Sequence, residues 1–316
     1  MGRPEEGSRR RQMRRFSGVR FAAVISVLAC VLALIPAFPA SATNYRKSNP
    51  NNYLALGDSV TFGYNPLLLT KPGVKPKNFV GYPQLASSLF RPKLKVVNAS
   101  CPGETSTSLI TGSRPDNGCQ DFRAAIGLHV SYRGSQLKYA ERYVAANGRI
   151  KFVSLMIGAN DLFRLQATCT ATAPQNVNGC IIARLPSLLY RLGKNLKTIY
   201  SGLRAAGYTG PFVAVTYYST DYRDPIVTSA VAAVDGVLAS VTRAYSGKVA
   251  DGFGTFNRAA ASSGGDTCAA GLLIHLTPGS CDVHPSPAGA ALLASALFAT
   301  VSPDGPATEH RTVSER

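Results

Sequence analysis

Tyr53-Leu54-Ala55-Leu56-Gly57-Asp58-Ser59-Val60 is the stretch on which the reading of this chain turns. Four apolar residues run directly into a glycine, and a serine follows two positions later. A short apolar run stopped by glycine reads as a buried strand feeding a tight turn. A serine at a strand-to-turn junction is held at the sheet edge with its hydroxyl outward, the placement a nucleophile needs. The pattern is not the Gly-x-Ser-x-Gly elbow, because Thr61 stands where the second glycine would be. Taken alone, a Gly-Asp-Ser turn also serves as a plain helix cap.

Working outward, similar runs recur at Leu94–Asn98, Phe152–Ile157 (again stopped by a glycine, Gly158), Phe212–Thr216 and, shorter, Lys248–Asp251. Helical patterns lie between them, at Tyr82–Leu89, Gln136–Ala146, Leu185–Ala206, Ser229–Tyr245 and Pro287–Thr300. The Leu185–Ala206 segment shows the period best, with Leu188, Leu189, Leu192, Leu196, Ile199 and Leu203 at three- and four-residue steps before Gly207. Strands alternating with helices predict an α/β protein, a three-layer α/β/α arrangement around a central, mainly parallel five-stranded sheet. In such sheets ligands bind outside the carboxyl ends of the strands. Residues 65–79, 108–135 and 164–184 read as loops that shape a cleft there.

Three strand ends carry unusual polar residues. The second run leads into Asn98-Ala99-Ser100-Cys101-Pro102-Gly103-Glu104-Thr105-Ser106, and the third into Gly158-Ala159-Asn160-Asp161. Near the end of the chain stands Cys281-Asp282-Val283-His284-Pro285. Together with Gly57-Asp58-Ser59, these segments make the sequence resemble the SGNH/GDSL hydrolase family, whose four motifs occur here in family order from about Tyr53 to Leu297. The resemblance implies an SGNH, flavodoxin-like fold and a serine esterase or lipase. It implies that Ser59 attacks an ester carbonyl and that His284 takes the serine proton and returns it to the leaving alcohol. The backbone N–H groups of Ser59 and Gly103 and the side-chain amide of Asn160 would form the oxyanion hole.

Elementary chemistry supports the same assignments. Acyl transfer builds negative charge on one oxygen, and each fixed donor around it contributes ~3–4 kcal/mol. Glycine allows close backbone approach, asparagine offers an uncharged NH₂ donor, and an imidazole exchanges a proton near neutral pH. One position departs from the family pattern. An Asp is commonly found three residues before the His, but Cys281 occupies that place and Asp282 lies two before. Either Asp282 orients His284, the preferred reading, or a backbone carbonyl does and leaves a Ser-His dyad. Among the remaining polar residues, His129 reads as surface or core and His275 as local packing. Asp58 and Asp161 read as turn and loop braces, and Tyr217-Tyr218 as cleft lining or core.

The N-terminus has the features of an export signal. Arg9, Arg10, Arg11, Arg14, Arg15 and Arg20 are followed by an almost wholly apolar Phe21–Phe38 and by Ala40-Ser41-Ala42, a signal-peptidase pattern. Residues 1–42 are therefore expected to be a signal peptide and the protein to be secreted. Residues 43–52 read as a disordered N-terminal segment, 53–301 as the catalytic domain and 302–316 as a disordered tail. An uncleaved anchor is the competing reading, since about 18 apolar residues can just span a bilayer.

Of the seven cysteines, Cys30 falls in the signal. The six others suggest three disulfides in an oxidising compartment. Sequential pairing, Cys101 with Cys119, Cys169 with Cys180 and Cys268 with Cys281, is preferred because it closes three short loops, each contributing ~3 kcal/mol. No Cys-x-x-Cys pair or Cys/His cluster has zinc-ligand spacing, so neither a metal nor another cofactor is expected.

The formal charge is +17; residues 1–42 hold seven Arg and two Glu, or +5, which leaves +12 for the remainder. That excess suits attraction to an anionic cell envelope. The Lys and Arg residues are scattered rather than gathered in a stripe with aromatics, so nucleic acid is not an expected partner. The expected partner is a small-molecule, lipid or acylated-glycan ester. Two alternatives share the scaffold: an acyltransferase, and a catalytically inactive glycan- or lipid-binding protein.

Overall fold

The computed structural model describes residues 51–277 and 279–302. The signal read at residues 1–42, residues 43–50 of the N-terminal segment and residues 303–316 of the tail lie outside the described residues. The opening run forms β1 (Asn52–Gly57), which starts inside the stretch expected to be disordered. The chain continues through α1 (Ser59–Phe62), α2 (Pro66–Leu69), α3 (Tyr82–Leu89), β2 (Lys95–Asn98), α4 (Ser106–Thr111), α5 (Cys119–Ala125) and α6 (Gln136–Ala146). Next come β3 (Ile150–Met156), α7 (Ala159–Thr172), α8 (Val177–Ala205), β4 (Phe212–Val215), α9 (Pro225–Ala244) and β5 (Lys248–Ala250). The last elements are α10 (Gly252–Ala260), β6 (Leu273–Thr277), β7 (Ser280–Pro285) and α11 (Pro287–Val301).

The five-stranded sheet has the order β2-β1-β3-β4-β5, and every pairing is parallel. β1 and β3 bury nearly every side chain, as strands covered on both faces must. One helical group joins α11 to α3, α10, β4 and β5; the other joins α8 to α4, α6, α7 and α9, with α9 also on β4 and β5. This is the three-layer architecture the alternating pattern predicts. β1 and β3 share one buried polar contact, a 2.7 Å hydrogen bond between the Tyr53 and Ser154 hydroxyls.

Three differences from the sequence reading bear on the site. α8 begins at Val177 rather than Leu185, because the helix runs straight through Pro186, a residue that more often marks a first turn. Most of the 164–184 segment is therefore helical, the end of α7 and the start of α8, joined by the Cys169–Cys180 disulfide. Short helices also occupy parts of 65–79 and 108–135. Finally, β6 and β7 form an antiparallel hairpin outside the main sheet. All three disulfides follow the sequential pairing, with S–S distances of 2.10, 2.06 and 2.03 Å.

Candidate active site

The strand order reverses beside β1: the chain passes to β2 on one side and returns to β3 on the other. In a flavodoxin-like sheet this opens a crevice at the carboxyl ends of the two strands. Ser59 follows β1, Gly103 follows β2 and Asn160 follows β3. Gly57 makes the turn possible: it sits at φ +147°, and a Cβ there would fall 2.4 Å from the Met156 carbonyl oxygen. Asp58 then caps α1, its carboxylate accepting the Val60 N–H at 3.1 Å. Ser59 is thus the first helical residue after a buried strand.

The hairpin delivers the imidazole. Although 225 residues separate them, His284 Nε2 lies 2.7 Å from Ser59 Oγ. Asp282 and His284 are two apart on β7, so their side chains share one face of the strand. The Asp282 carboxylate accepts from His284 Nδ1, and it also accepts the His284 backbone N–H at 3.0 Å. A carboxylate, rather than a backbone carbonyl, therefore faces Nδ1. Partial burial raises the Asp282 carboxyl pKa, but the hydrogen bonds and charge of His284 outweigh it and leave the group below the ordinary carboxylate range. Val283 carries the hairpin's outward anchor, its carbonyl accepting the Tyr218 hydroxyl at 2.7 Å.

Gly103 and Asn160 stand across from this pair. Gly103 has φ +81°, and a Cβ would meet the Asn117 carbonyl oxygen at 2.3 Å, so the loop closes only around glycine. Asn117 Nδ2 donates to Asn160 Oδ1 at 2.9 Å, which turns the Asn160 NH₂ the other way. That NH₂ donates to the Glu104 carbonyl at 3.0 Å, and its second N–H meets only a long, 3.4 Å contact with Asp58. Burial pushes the Asp58 carboxyl up to about 6, against the hydrogen bond it accepts from the Tyr217 hydroxyl. Burial likewise pushes Glu104 up to about 7.

Gln136 connects the two halves. Its Oε1 accepts the Gly57 N–H at 2.7 Å, and its Nε2 donates to the Gly57 carbonyl at 3.0 Å and to Glu104 Oε2 at 3.1 Å. One buried amide thereby fixes the turn before Ser59 and the loop that holds Gly103.

Two cavities meet at Ser59, Asn160, Phe163, Val283 and His284. The first, about 470 Å³, also reaches Gly103, Asn117, Tyr64 and Asp282. The second, about 430 Å³, is walled mainly by apolar side chains such as Ile181, Val231 and Val234, with Tyr217 and Tyr218.

The structure thus brings together Ser59, Gly103, Asn160, Asp282 and His284, all singled out in the sequence. Asp161 does brace a loop, accepting the Ser106 N–H at 2.8 Å and its hydroxyl at 2.6 Å. His129 lies against the Phe62 ring and bonds the Phe62 carbonyl at 2.9 Å. His275 is exposed on β6 rather than locally packed, because the apolar run is buried only as far as Ile274. Both cysteine-containing clusters with metal-like proximity use disulfide sulfurs, which are not the free thiolates a metal needs. Tyr217 and Tyr218, read as cleft lining or core, do line the apolar cavity. Sequence reading missed Gln136, Glu104 and Asn117 as site residues; each reaches the site through contacts distant in sequence, to Gly57, Gln136 and Asn160 respectively.

A flavodoxin-like sheet with this polar constellation at its strand ends defines the SGNH class of hydrolase fold. The chain belongs to the GDSL-like lipase/acylhydrolase family, whose model matches residues 55–292. At that general level it is a carboxylic ester hydrolase. Among solved structures it is similar to an extracellular lipase from Streptomyces rimosus, at 17% identity and TM-score 0.52 over 79% of this chain and 99% of that one. It is also similar to phospholipase A1 from Streptomyces albidoflavus NA297, at 16% identity and TM-score 0.51 over 79% and 99% of the two chains. These likenesses speak for the fold. No curated protein matches the chain.

Proposed function

We propose that this protein is a secreted serine esterase or lipase that cleaves carboxylic esters with an extended acyl chain, through an acyl-enzyme on Ser59. The observation that carries the reading is the 2.7 Å contact between His284 Nε2 and Ser59 Oγ, with the Asp282 carboxylate on the far nitrogen of the ring. His284 takes the hydroxyl proton as Ser59 Oγ bonds to the ester carbonyl carbon, and Asp282 holds the imidazole in the required tautomer. The Ser59 and Gly103 N–H groups and the Asn160 N–H that makes only the long contact with Asp58 receive the negative charge on the former carbonyl oxygen. As that intermediate collapses, the C–O bond breaks and the imidazolium protonates the leaving alcohol. Water then attacks the acyl-enzyme by the same route in reverse and releases the acid and Ser59.

The apolar cavity beside Ser59 supports an acyl chain rather than acetate as its content. Each buried methylene contributes ~0.8 kcal/mol, which only a longer chain collects. The rim favours the same substrate: Phe163, Ile226 and Val283 are 38%, 39% and 39% exposed. Three disulfides support an oxidising, extracellular destination, in keeping with the signal read at residues 1–42.

The test is a chain-length series of p-nitrophenyl esters. Rates should rise from acetyl to longer acyl groups, and Ser59→Ala should lower kcat by about 10⁴-fold or more while the circular dichroism spectrum stays that of the wild type. Turnover by Ser59→Ala close to wild type would end the proposal, as would failure of a fluorophosphonate probe to label Ser59 in the native protein.

A further inference from the structure

We propose that the cleft between α7 and α8 is a second, anion-binding site that takes a phosphate group. It is a concavity of about 340 Å³, distinct from the two cavities at Ser59. α7 presents Arg164 and Thr168 to it, and α8 presents Arg184, Ser187 and Arg191. Spacings of three, four and seven residues place each set on one stripe of its helix, so the two stripes face each other. Leu165 and the buried Leu188 line the cleft between them. The Cys169–Cys180 disulfide ties the two helices together, so the cleft is preformed.

Its cations form no ion pair by contact among the described residues. Arg164 is positioned by one bond, from its guanidinium to the Asp116 carbonyl at 2.6 Å. Among the described residues, the side chains of Arg184 and Arg191 form neither an ion pair nor a hydrogen bond; that of Arg191 has only its electrostatic attraction to Asp161. Asp161, the one carboxylate lining the cleft, has both oxygens engaged by Ser106. Neutral donors complete the set. The Ser187 hydroxyl has no hydrogen-bond partner among the described residues, and the Thr107 hydroxyl oxygen accepts from Asn195 at 3.0 Å, which leaves its O–H free to donate.

Three guanidinium forks around one space suit a group with more oxygens than a single carboxylate, and phosphate provides them in the geometry a fork prefers. The site is independent of ester cleavage. Leu162, Phe163 and Gln166 of α7 face the apolar cavity, while Arg164, Leu165 and Thr168 face this cleft, and no residue lines both.

The experiment compares wild type with R184A/R191A and with R142A/K197A, which removes two exposed cations elsewhere. One arm titrates inorganic phosphate by calorimetry. The other sediments the protein with phosphatidylglycerol vesicles, with neutral phosphatidylcholine vesicles as reference. Binding should saturate, weaken as NaCl rises, fall about tenfold or more in R184A/R191A and persist in R142A/K197A. Binding in the phosphate arm identifies a free phosphate; binding only to phosphatidylglycerol identifies a lipid head group. Melting in phosphate-free buffer confirms that each variant folds, and the single variants R184A and R191A, each with partial loss, stand in if the double variant does not. Equal binding by R184A/R191A and wild type, equal weakening in R142A/K197A, or no binding by wild type in either arm would overturn the proposal.

Discussion

Ser59 and His284 meet across 2.7 Å, yet the segments that deliver them are built by different physics. The turn that carries Ser59 is an extension of the core. β1 is flanked by two parallel strands, Tyr53 to Leu56 are fully buried, and Gly57 is gripped through both its backbone groups by Gln136. The β6–β7 hairpin lies outside that sheet, with His275, Leu276, Thr277 and Ser280 all exposed. It is held instead by point ties: the Cys268–Cys281 disulfide, the Tyr218 hydroxyl on the Val283 carbonyl, and Ser286, whose N–H and hydroxyl bond the Leu272 and Gly271 carbonyls at 2.9 and 2.7 Å. One half of the site takes its precision from burial, the other from a few local bonds. Segments of the second kind open locally at lower free energy than the fold unfolds.

That contrast can be broken at three points. The largest effect is expected on the hairpin side, in Asp282→Asn. An amide beside Nδ1 permits the wrong tautomer, so kcat should fall by about 10³- to 10⁴-fold with little change in melting temperature. A loss under tenfold would mean that a backbone carbonyl can orient His284 unaided. On the Ser59 side, Gln136→Ala removes the grip on Gly57 and the contact to Glu104. We expect a drop in kcat of about 10- to 100-fold with KM within about twofold, because the site is displaced while the substrate cavities stay intact. A purely structural role would lower stability and leave the kcat of the folded fraction unchanged. The smallest effect on rate belongs to Cys268→Ala/Cys281→Ala. Stability should fall by ~3 kcal/mol and activity by several-fold, with the sheet's circular dichroism retained. Collapse of the whole fold in this variant would show that the hairpin is as integral to the core as β1.

The same contrast governs what could be read from the sequence. Apolar runs with glycine stops announce buried strands, and the polar residues that follow them are informative because a parallel sheet places its sites at strand ends. The segments holding Ser59, Gly103 and Asn160 were legible for that reason, while the family resemblance is what singled out Gly103 and Asn160 within them; the disulfides were legible because short sequential loops are the least costly to close. α7 left little trace: of its 14 residues only Asn160 and Cys169 are buried, so no apolar stripe marks it. The half-exposed hairpin was equally faint. Gln136 was invisible as a site residue, since its contacts to Gly57 span 79 positions and nothing local distinguishes it from any glutamine in a first helical turn.

The placement of Asp282 and His284 on one strand imposes a rule of parity. In pleated backbone, neighbours point to opposite faces and alternate residues to the same one, so the interval between the acid and the imidazole must be even wherever the strand is kept. Adding one residue between them would turn the ring's partner outward, and adding two would restore the face but carry the carboxylate roughly 7 Å further along the strand, out of reach of the ring. The spacing that departs from the family's three-residue interval is therefore the one that extended backbone requires.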